Sequence, residues 1–247
     1  GGARPVYRGV RGGGEPLRRV PRGVVATPKT AGTGSEETAN AVLASKAHAV
    51  KVSLRSPLML PRIALIDPEL TFSQPRAITA STGMDALTQC IEPYVSNRAN
   101  PVTDAVAREG MLRGGRSLRR AFAQADDANA RRDMALTALL GGMALANARL
   151  GAVHGFAAPI GGMFDAPHGA ICAVLLPPVM DANIRALRER APESEALNRY
   201  TEIARLLTGD PAAGAEDGAA WAQQLAADLQ IAPLSAYGVT SEDVPEI

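Results

Sequence analysis

Residues of the types that bind divalent metals are spread along residues 85–168 of the chain. Asp85 lies in the segment Thr-Gly-Met-Asp-Ala-Leu-Thr-Gln, and His154 and His168 lie further on, each beside glycines. One aspartate and two histidines are ligand types that Fe²⁺ or Zn²⁺ selects in proteins. Gln89 stands at i+4 from Asp85, where a fourth ligand would share its helix face. A carboxamide binds these ions poorly, so the sequence predicts an almost complete metal site.

Each of these residues also has an interpretation that needs no metal. Thr82 and Asp85 could form a capping box that starts a helix, and Gln89 could be an ordinary polar residue. His154 lies among Gly, Ala, Val and Phe, where a buried imidazole needs a partner of some kind. His168, between a proline and a glycine, could be a loop residue. The residues alone leave a metal site and a set of structural roles open.

A second candidate site is the small-residue loop Gly32-Thr33-Gly34-Ser35, which follows the apolar run at 24–27 and precedes a segment that could be helical. Glycines let a phosphate approach the backbone, whose N–H groups bond its oxygens. Lys29 would add positive charge beside it. A tight turn without a ligand is the alternative, because so short a motif is weak evidence.

The elements that would position these residues change in kind near residue 76. Before it, short apolar runs at 24–27, 50–54 and 63–66 predict buried strands. After it, apolar residues recur with helical spacing. Helices are predicted at Ala77–Ser96, Pro101–Ala123, Ala128–Leu150, Gly169–Arg190, Glu195–Leu207 and Ala215–Leu229. Their starts are predicted at Ser81-Thr82, Asn100 to Thr103 and Asp126-Asp127, with breaks at Gly161-Gly162 and Gly209-Asp210-Pro211. The predicted fold is an α/β part, residues 1–76, followed by an all-helical part, residues 77–247.

Composition indicates an ordinary globular protein. The chain has 247 residues, 46% of them hydrophobic, and a formal net charge of +1, so neither nucleic acid nor a membrane is an expected partner. Six arginines and one glutamate give residues 1–22 a charge of +5; we expect an irregular basic arm there, with phosphate contact as the alternative. Two cysteines in apolar runs, no signal peptide and no membrane span predict a reduced, cytoplasmic protein.

Several motifs occur together in one order and spacing. They are Pro28-Lys29-Thr30-Ala31-Gly32-Thr33-Gly34-Ser35-Glu36, Ile66-Asp67-Pro68-Glu69-Leu70, Thr82-Gly83-Met84-Asp85-Ala86-Leu87-Thr88, Gly151-Ala152-Val153-His154-Gly155 and Ala166-Pro167-His168-Gly169. On these motifs, from about Val24 to the end, the chain resembles the iron-containing alcohol dehydrogenases, relatives of dehydroquinate synthase and maleylacetate reductase.

The resemblance implies a fold and an activity. The fold is an α/β remnant of a dinucleotide-binding domain, followed by an all-α domain that holds the metal, with substrate in the cleft between them. The activity is NAD- or NADP-dependent interconversion of a small alcohol and its aldehyde or ketone, in a homodimer or larger assembly. The metal is iron, with zinc or manganese as alternatives.

Site residues follow from the resemblance by position. Asp85, His154 and His168 match three of the family's four metal ligands, and Gln89 stands where the fourth is a histidine. The matched dinucleotide contacts are Thr30, Thr38, Asn40 and Lys51, with the loop Gly32, Thr33, Gly34 and Ser35 beside them.

The chain also departs from the family pattern. Besides Gln89, Ala158 occupies a position where the family usually has a histidine near the nicotinamide, and Lys29 replaces a threonine. The first half of the family's cofactor domain has no counterpart in these motifs and the end comes early, so we expect a fragment of the family fold.

Three hypotheses for function follow. The first is the metal-assisted oxidoreductase described above. The second is a metal-independent reductase that resembles maleylacetate reductase, which Gln89 and Ala158 favour. The third is an inactive scaffold of the same fold, against which stand three polar residues that would be costly to bury unpaired.

Overall fold

A computed structural model describes residues 23–45 and 50–247. Its strands are β1 (Val25–Ala26), β2 (Asn40–Ser45), β3 (Val50–Arg55) and β4 (Ile63–Ala64). Its α-helices are α1 (Arg76–Tyr94), α2 (Pro101–Ala123), α3 (Ala128–Ala148), α4 (Ala152–Met163), α5 (His168–Arg190), α6 (Glu195–Thr208) and α7 (Ala215–Asp228). The predicted fold class, an α/β remnant followed by helices, is confirmed. The expected basic arm, residues 1–22, lies outside the described residues.

The strands form two separate pairs. β1 and β4 are parallel, with Val25 opposite Ile63, and β2 and β3 form an antiparallel hairpin, with Asn40 opposite Arg55. The sequence predicted β1, β3 and β4 but not β2, whose Asn, Ala and Ser residues have low strand propensity. β2 exists because β3 supplies backbone partners along its whole length.

Helix α1 is the core of the helical part. It packs against α2, α3 and α5, and its residues from Thr79 to Tyr94 are buried apart from Thr82. A helix buried on every side needs no single apolar face. Polar side chains on α1 therefore lie in the interior and must find partners there.

The predicted helix boundaries are largely correct. α2 begins and ends as predicted, and Asn100 caps it with Thr103 in a reciprocal capping box. Asp127 caps α3 by accepting from the Ala130 N–H at 2.9 Å. The start predicted at Ser81-Thr82 is wrong, because α1 already begins at Arg76. The Thr82 hydroxyl instead donates to the carbonyl of Ile78, inside the helix.

The sequence missed helix α4, which carries His154. Three glycines and Pro159 make this segment a weak helix former by propensity. The helix is held by tertiary contacts: Val153, Ala157 and Ile160 are buried on one side, and the Val153 N–H donates to the Glu92 carboxylate. Packing has overridden local preference here.

Helix α5 ends where the sequence predicted, at Arg190, and begins at His168, one residue before the predicted Gly169. By length and composition it could cross a membrane, a property that it shares with the core helices of soluble proteins, and the bent pair α3 and α4 passes the same test together. One side of α5 is buried through Ile171, Leu176, Met180 and Ile184, and the helix packs against α1, α4 and α7.

Glycines let the helices around α1 approach closely. A Cβ at Gly114 of α2 would lie 2.5 Å from Leu87 Cδ2 and 3.0 Å from Thr137 Cγ2, and both of those side chains are fully buried. At the neighbouring Gly115 the nearest atom, Leu207 Cδ2, is 3.4 Å away, an ordinary contact.

Gly114→Ala and Gly115→Ala therefore form a matched pair inside α2. Both gain up to ~1 kcal/mol of helix propensity, but only Gly114→Ala overpacks the core, which costs about 1–3 kcal/mol. We expect chemical denaturation to show Gly115→Ala at least as stable as the parent and Gly114→Ala less stable. Equal free energies of unfolding for the two variants would contradict this packing.

Candidate metal centre

Three polar side chains on buried α1 face one region of the interior. Asp85, Gln89 and Glu92 are spaced at i, i+4 and i+7, which puts them on one side of a helix. Their residues are 2%, 3% and 4% exposed. Each must therefore be satisfied by neighbouring protein groups or by a ligand.

His154 joins two of these carboxylates. Its Nδ1 lies 2.7 Å from Glu92 Oε2, and its Nε2 lies 3.2 Å from Asp85 Oδ1. The other Glu92 oxygen accepts from the Val153 N–H at 2.7 Å. Glu92 thus fixes both the ring of His154 and the start of α4. Sequence reasoning missed Glu92, although its i+7 spacing from Asp85 is a signal that could have identified it.

His168 reaches the same place from the first residue of α5. Its Nε2 lies 3.6 Å from Asp85 Oδ1, and its side chain is 40% exposed. The next residue, Gly169, packs directly on the α1 backbone, where a Cβ would come within 2.2 Å of the Ser81 carbonyl oxygen. Only glycine permits this approach, which brings the start of α5 to the level of Asp85.

Cys172 completes the cluster, one helical turn after His168. Its Sγ lies 3.6 Å from His168 Nε2 and 3.8 Å from His154 Nε2. One ligand atom from each of Asp85, His154, His168 and Cys172 falls within 4.8 Å of the others. Cys172 is one of the two cysteines that the sequence places in apolar runs; it is buried and free, and its sulfur faces the two imidazoles.

Gln89 lies beside this cluster with half of its amide satisfied. Its side chain forms a hydrogen bond with Asp85, whereas its buried Oε1 has no hydrogen-bond partner among the described residues. An unsatisfied buried carbonyl oxygen is costly and needs a reason. The cluster itself fits a divalent metal, because one carboxylate, two imidazoles and one thiol have ligand atoms within 4.8 Å of one another.

Electrostatics at the cluster are set by burial and pairing. Burial alone would lower the pKa of His154, but its hydrogen bonds, first that with Asp85, outweigh burial and raise the pKa to about 12. Burial would raise the pKa of Asp85, yet the hydrogen bond from His154 and the charge of His168 lower it. Burial raises the pKa of the Cys172 thiol to about 11. Without a metal, an imidazolium at position 154 lies between two carboxylates, and a divalent ion would replace its Nε2 proton.

One further position near the cluster carries no polar group. Ala158 is exposed on α4, one helical turn after His154. No imidazole is available there to move a proton.

The candidate cofactor loop packs against α1, the helix that carries Asp85, and against α3. A Cβ at Gly32 would lie 2.9 Å from Thr82 Cβ, and one at Gly34 would lie 2.5 Å from Gly142 Cα on α3. Gly34 also has a left-handed φ of 55°, which favours glycine. The helix expected after the loop is a single 3-10 turn, Ser35–Glu37, so it offers no long helix dipole.

The remaining predicted cofactor residues are distributed around this loop. Thr30, Thr33 and Ser35 are exposed, whereas Thr38 is buried and donates its hydroxyl hydrogen to the Ser35 carbonyl at 3.1 Å. Asn40 is half-buried at the start of β2. Lys51 lies on β3, and its side chain is outside the described set. The structure brings the loop and Thr38 together; the placement of Lys51 relative to them stays a prediction.

Comparison with known proteins identifies the family. The C-terminal model of the Fe-containing alcohol dehydrogenase family matches residues 79–247, and the iron-containing alcohol dehydrogenase model matches residues 6–68. The second match begins ahead of Val24, where the sequence motifs had placed the start of the resemblance. The chain belongs to the iron-containing alcohol dehydrogenase family.

Individual relatives agree with this assignment. The 1,3-propanediol dehydrogenase of Klebsiella pneumoniae is 41% identical over 229 residues, which are 90% of this chain and 57% of the relative. A crystal structure of 1,3-propanediol oxidoreductase superposes with a TM-score of 0.82 at 39% identity, covering 93% of this chain and 59% of that one. Sulfoacetaldehyde reductase from Bifidobacterium kashiwanohense, solved in complex with NAD⁺, gives 0.82 at 28% identity, covering 95% and 60%. The chain therefore spans less than two thirds of the length of these relatives.

The pairing of Glu92 with His154 can be tested through stability. Glu92→Gln removes one charge of a buried pair, and we expect it to lower the free energy of unfolding by about 3 kcal/mol. Glu109→Gln is the matched control, because Glu109 has a side chain that is 47% exposed and pairs with Arg113 one turn away; we expect a loss below about 1 kcal/mol. Urea denaturation of both variants measures the difference. A similar small loss in both would mean that Glu92 does not hold His154.

Proposed function

We propose that the protein is an NAD(P)-dependent oxidoreductase that interconverts a small alcohol and its aldehyde or ketone, assisted by a divalent metal. The convergence of Asp85, His154 and His168 on one buried point carries this proposal. Family membership supports the reaction class. Iron, zinc and manganese are the candidate ions, and Gln89 is a weak additional ligand through its unpartnered oxygen.

The order of strands and helices along the chain supports different roles for its two parts. We propose that residues 1–76 contribute to a cofactor-binding domain and that residues 77–247 hold the metal and substrate. The contact of Gly32 with Thr82 places the candidate phosphate loop one helical turn from Asp85. A cofactor on that loop would thus lie close to the ligand cluster. The proposed cofactor residues are Thr30, Gly32, Thr33, Gly34, Ser35, Thr38, Asn40 and Lys51.

In this reaction the side chains of the protein position the ion and leave access for the substrate. When bound, the ion supplies Lewis-acid polarisation of the substrate oxygen, and the nicotinamide supplies or accepts the hydride. Glu92 holds the proton on His154 Nδ1 and so keeps Nε2 directed at the cluster. Asp85 provides the buried negative charge that attracts a cation. The exposed edge of His168 leaves the cluster open on one side, where a small oxygen-bearing substrate can enter.

A variant pair tests this function. The measurement is NADH- or NADPH-dependent reduction of short aldehydes by protein stripped with a chelator and reloaded with Fe²⁺, Zn²⁺ or Mn²⁺. We expect activity to require one ion, and Asp85→Asn to lower kcat/KM about 100-fold or more, because the neutral amide loses several kcal/mol of charge stabilisation.

Asp181→Asn serves as the matched control, because the Asp181 side chain is 48% exposed and pairs with Arg185 on the surface of α5. We expect its kcat/KM to be unchanged. No hydride transfer with any of these ions and any short aldehyde would overturn the proposed function and would favour the inactive scaffold.

Metal-independent reduction is the second candidate function. Two observations favour it: Gln89 stands at a ligand position, and Ala158 offers no side chain for proton transfer. In that case activity survives complete chelation, and Asp85→Asn changes kcat/KM only modestly. Loss of activity that one added ion reverses would end this alternative.

Assembly and location are proposals of the same kind. We propose a homodimer or larger homo-oligomer in the cytoplasm, acting on small molecules and not on nucleic acid or membranes. The hairpin of β2 and β3 supports self-association, because Val42 and Leu43 are 61% and 41% exposed.

A further inference from the structure

We propose that Cys172 is a ligand of the metal proposed above and that its sulfur makes the centre selective for zinc over manganese. This inference depends on the proposed metal site, since it names one more ligand of that site and the ion that the ligand favours. The sulfur of Cys172 takes the place of the imidazole nitrogen that the family resemblance implies at position 89, where this chain has Gln89.

Four of the six separations between the ligand atoms agree with a single tetrahedral ion. For zinc bonds of about 2.3 Å to sulfur and about 2.0–2.1 Å to nitrogen or oxygen, tetrahedral angles place sulfur about 3.6 Å from nitrogen and nitrogen about 3.4 Å from oxygen. Cys172 Sγ lies 3.6 and 3.8 Å from the two imidazole Nε2 atoms. Asp85 Oδ1 lies 3.2 and 3.6 Å from the same two atoms.

Gln89 has a different role in this arrangement. Its side chain forms a hydrogen bond with Asp85, so it orients that ligand, and with Cys172 as the fourth donor its own weak oxygen ligand is not required. Its Oε1 is buried and has no hydrogen-bond partner among the described residues. Asp85, His154, His168 and Cys172 together provide four protein ligands. The site therefore needs no histidine at position 89.

Cys90 is a second buried cysteine in this chain, and its surroundings can be compared with those of Cys172. Cys90 is as fully buried as Cys172, but its Sγ lies 3.7 Å from the Thr137 carbonyl oxygen and close to Gly110, in the packing between α1, α2 and α3. No histidine or carboxylate contact is described for it. Cys90 is a packing residue, whereas Cys172 faces two imidazoles.

The chemistry of sulfur determines the preferred ion. A thiolate is a soft ligand that favours zinc, whereas manganese prefers oxygen ligands. Binding releases the thiol proton to solvent as the metal–sulfur bond forms. One carboxylate, two imidazoles and one thiolate form a mixed donor set of the kind found in zinc centres. Zinc can also accept a fifth ligand, so the open side beside His168 stays available to a substrate oxygen.

Cobalt(II), used alone as a probe, tests the sulfur directly. We expect the chelator-stripped protein to show visible d–d bands and a near-ultraviolet thiolate-to-cobalt band on loading with Co²⁺. Cys172→Ser and Cys172→Ala should lose the near-ultraviolet band, whereas Cys90→Ala should keep it. We also expect Cys172→Ser to lower zinc affinity at least about tenfold and manganese affinity much less.

A second measurement needs no variant and so does not depend on how the variants fold. X-ray absorption of the zinc-loaded parent should show one sulfur at about 2.3 Å from the metal. Visible bands without the near-ultraviolet band, or a zinc shell without sulfur, would overturn the role of Cys172 and leave the proposed metal site intact. Failure to bind cobalt at all would overturn both.

Discussion

The arrangement of the helical part depends on the pairing of His154 with the carboxylates of Asp85 and Glu92. All three are polar groups in an interior where an unpaired charge would cost several kcal/mol. Because the carboxylates lie on α1 and the imidazole on α4, satisfying them fixes one helix against the other. The same pairing directs the Nε2 of His154 at the ligand cluster. Stability and the candidate chemistry therefore share these side chains.

Close backbone approach is the second constraint, and it explains why several small residues surround α1. Gly169 places the start of α5 against the backbone of Ser81, and Gly32 places the candidate cofactor loop against Thr82. Gly34 does the same against Gly142 of α3. These contacts place the start of α5, with His168, and the loop side by side against α1. The ligand cluster and the candidate cofactor site therefore depend on the same packing around α1.

In the proposed metal centre, a family site has changed one of its ligands. Gln89 stands at a position where the resemblance implies a histidine, and Ala158 has no proton-transferring group. Cys172, one turn after His168, supplies a donor atom from a different helix. A ligand position can move between helices because an ion requires only that donor atoms surround one point, whichever residues carry them.

By itself the sequence determined the fold class, most helix boundaries and the residues Asp85, His154 and His168 as candidate ligands. Helical periodicity, caps such as Asn100 and Asp127, and residue chemistry are local properties that a sequence displays. Tertiary structure alone decided that the glycine-rich segment of His154 is helical, and that Glu92 and Cys172 join the cluster. These features depend on contacts between residues distant in sequence. Burial and pairing set the free energy of such contacts, and neither is visible before the chain is folded.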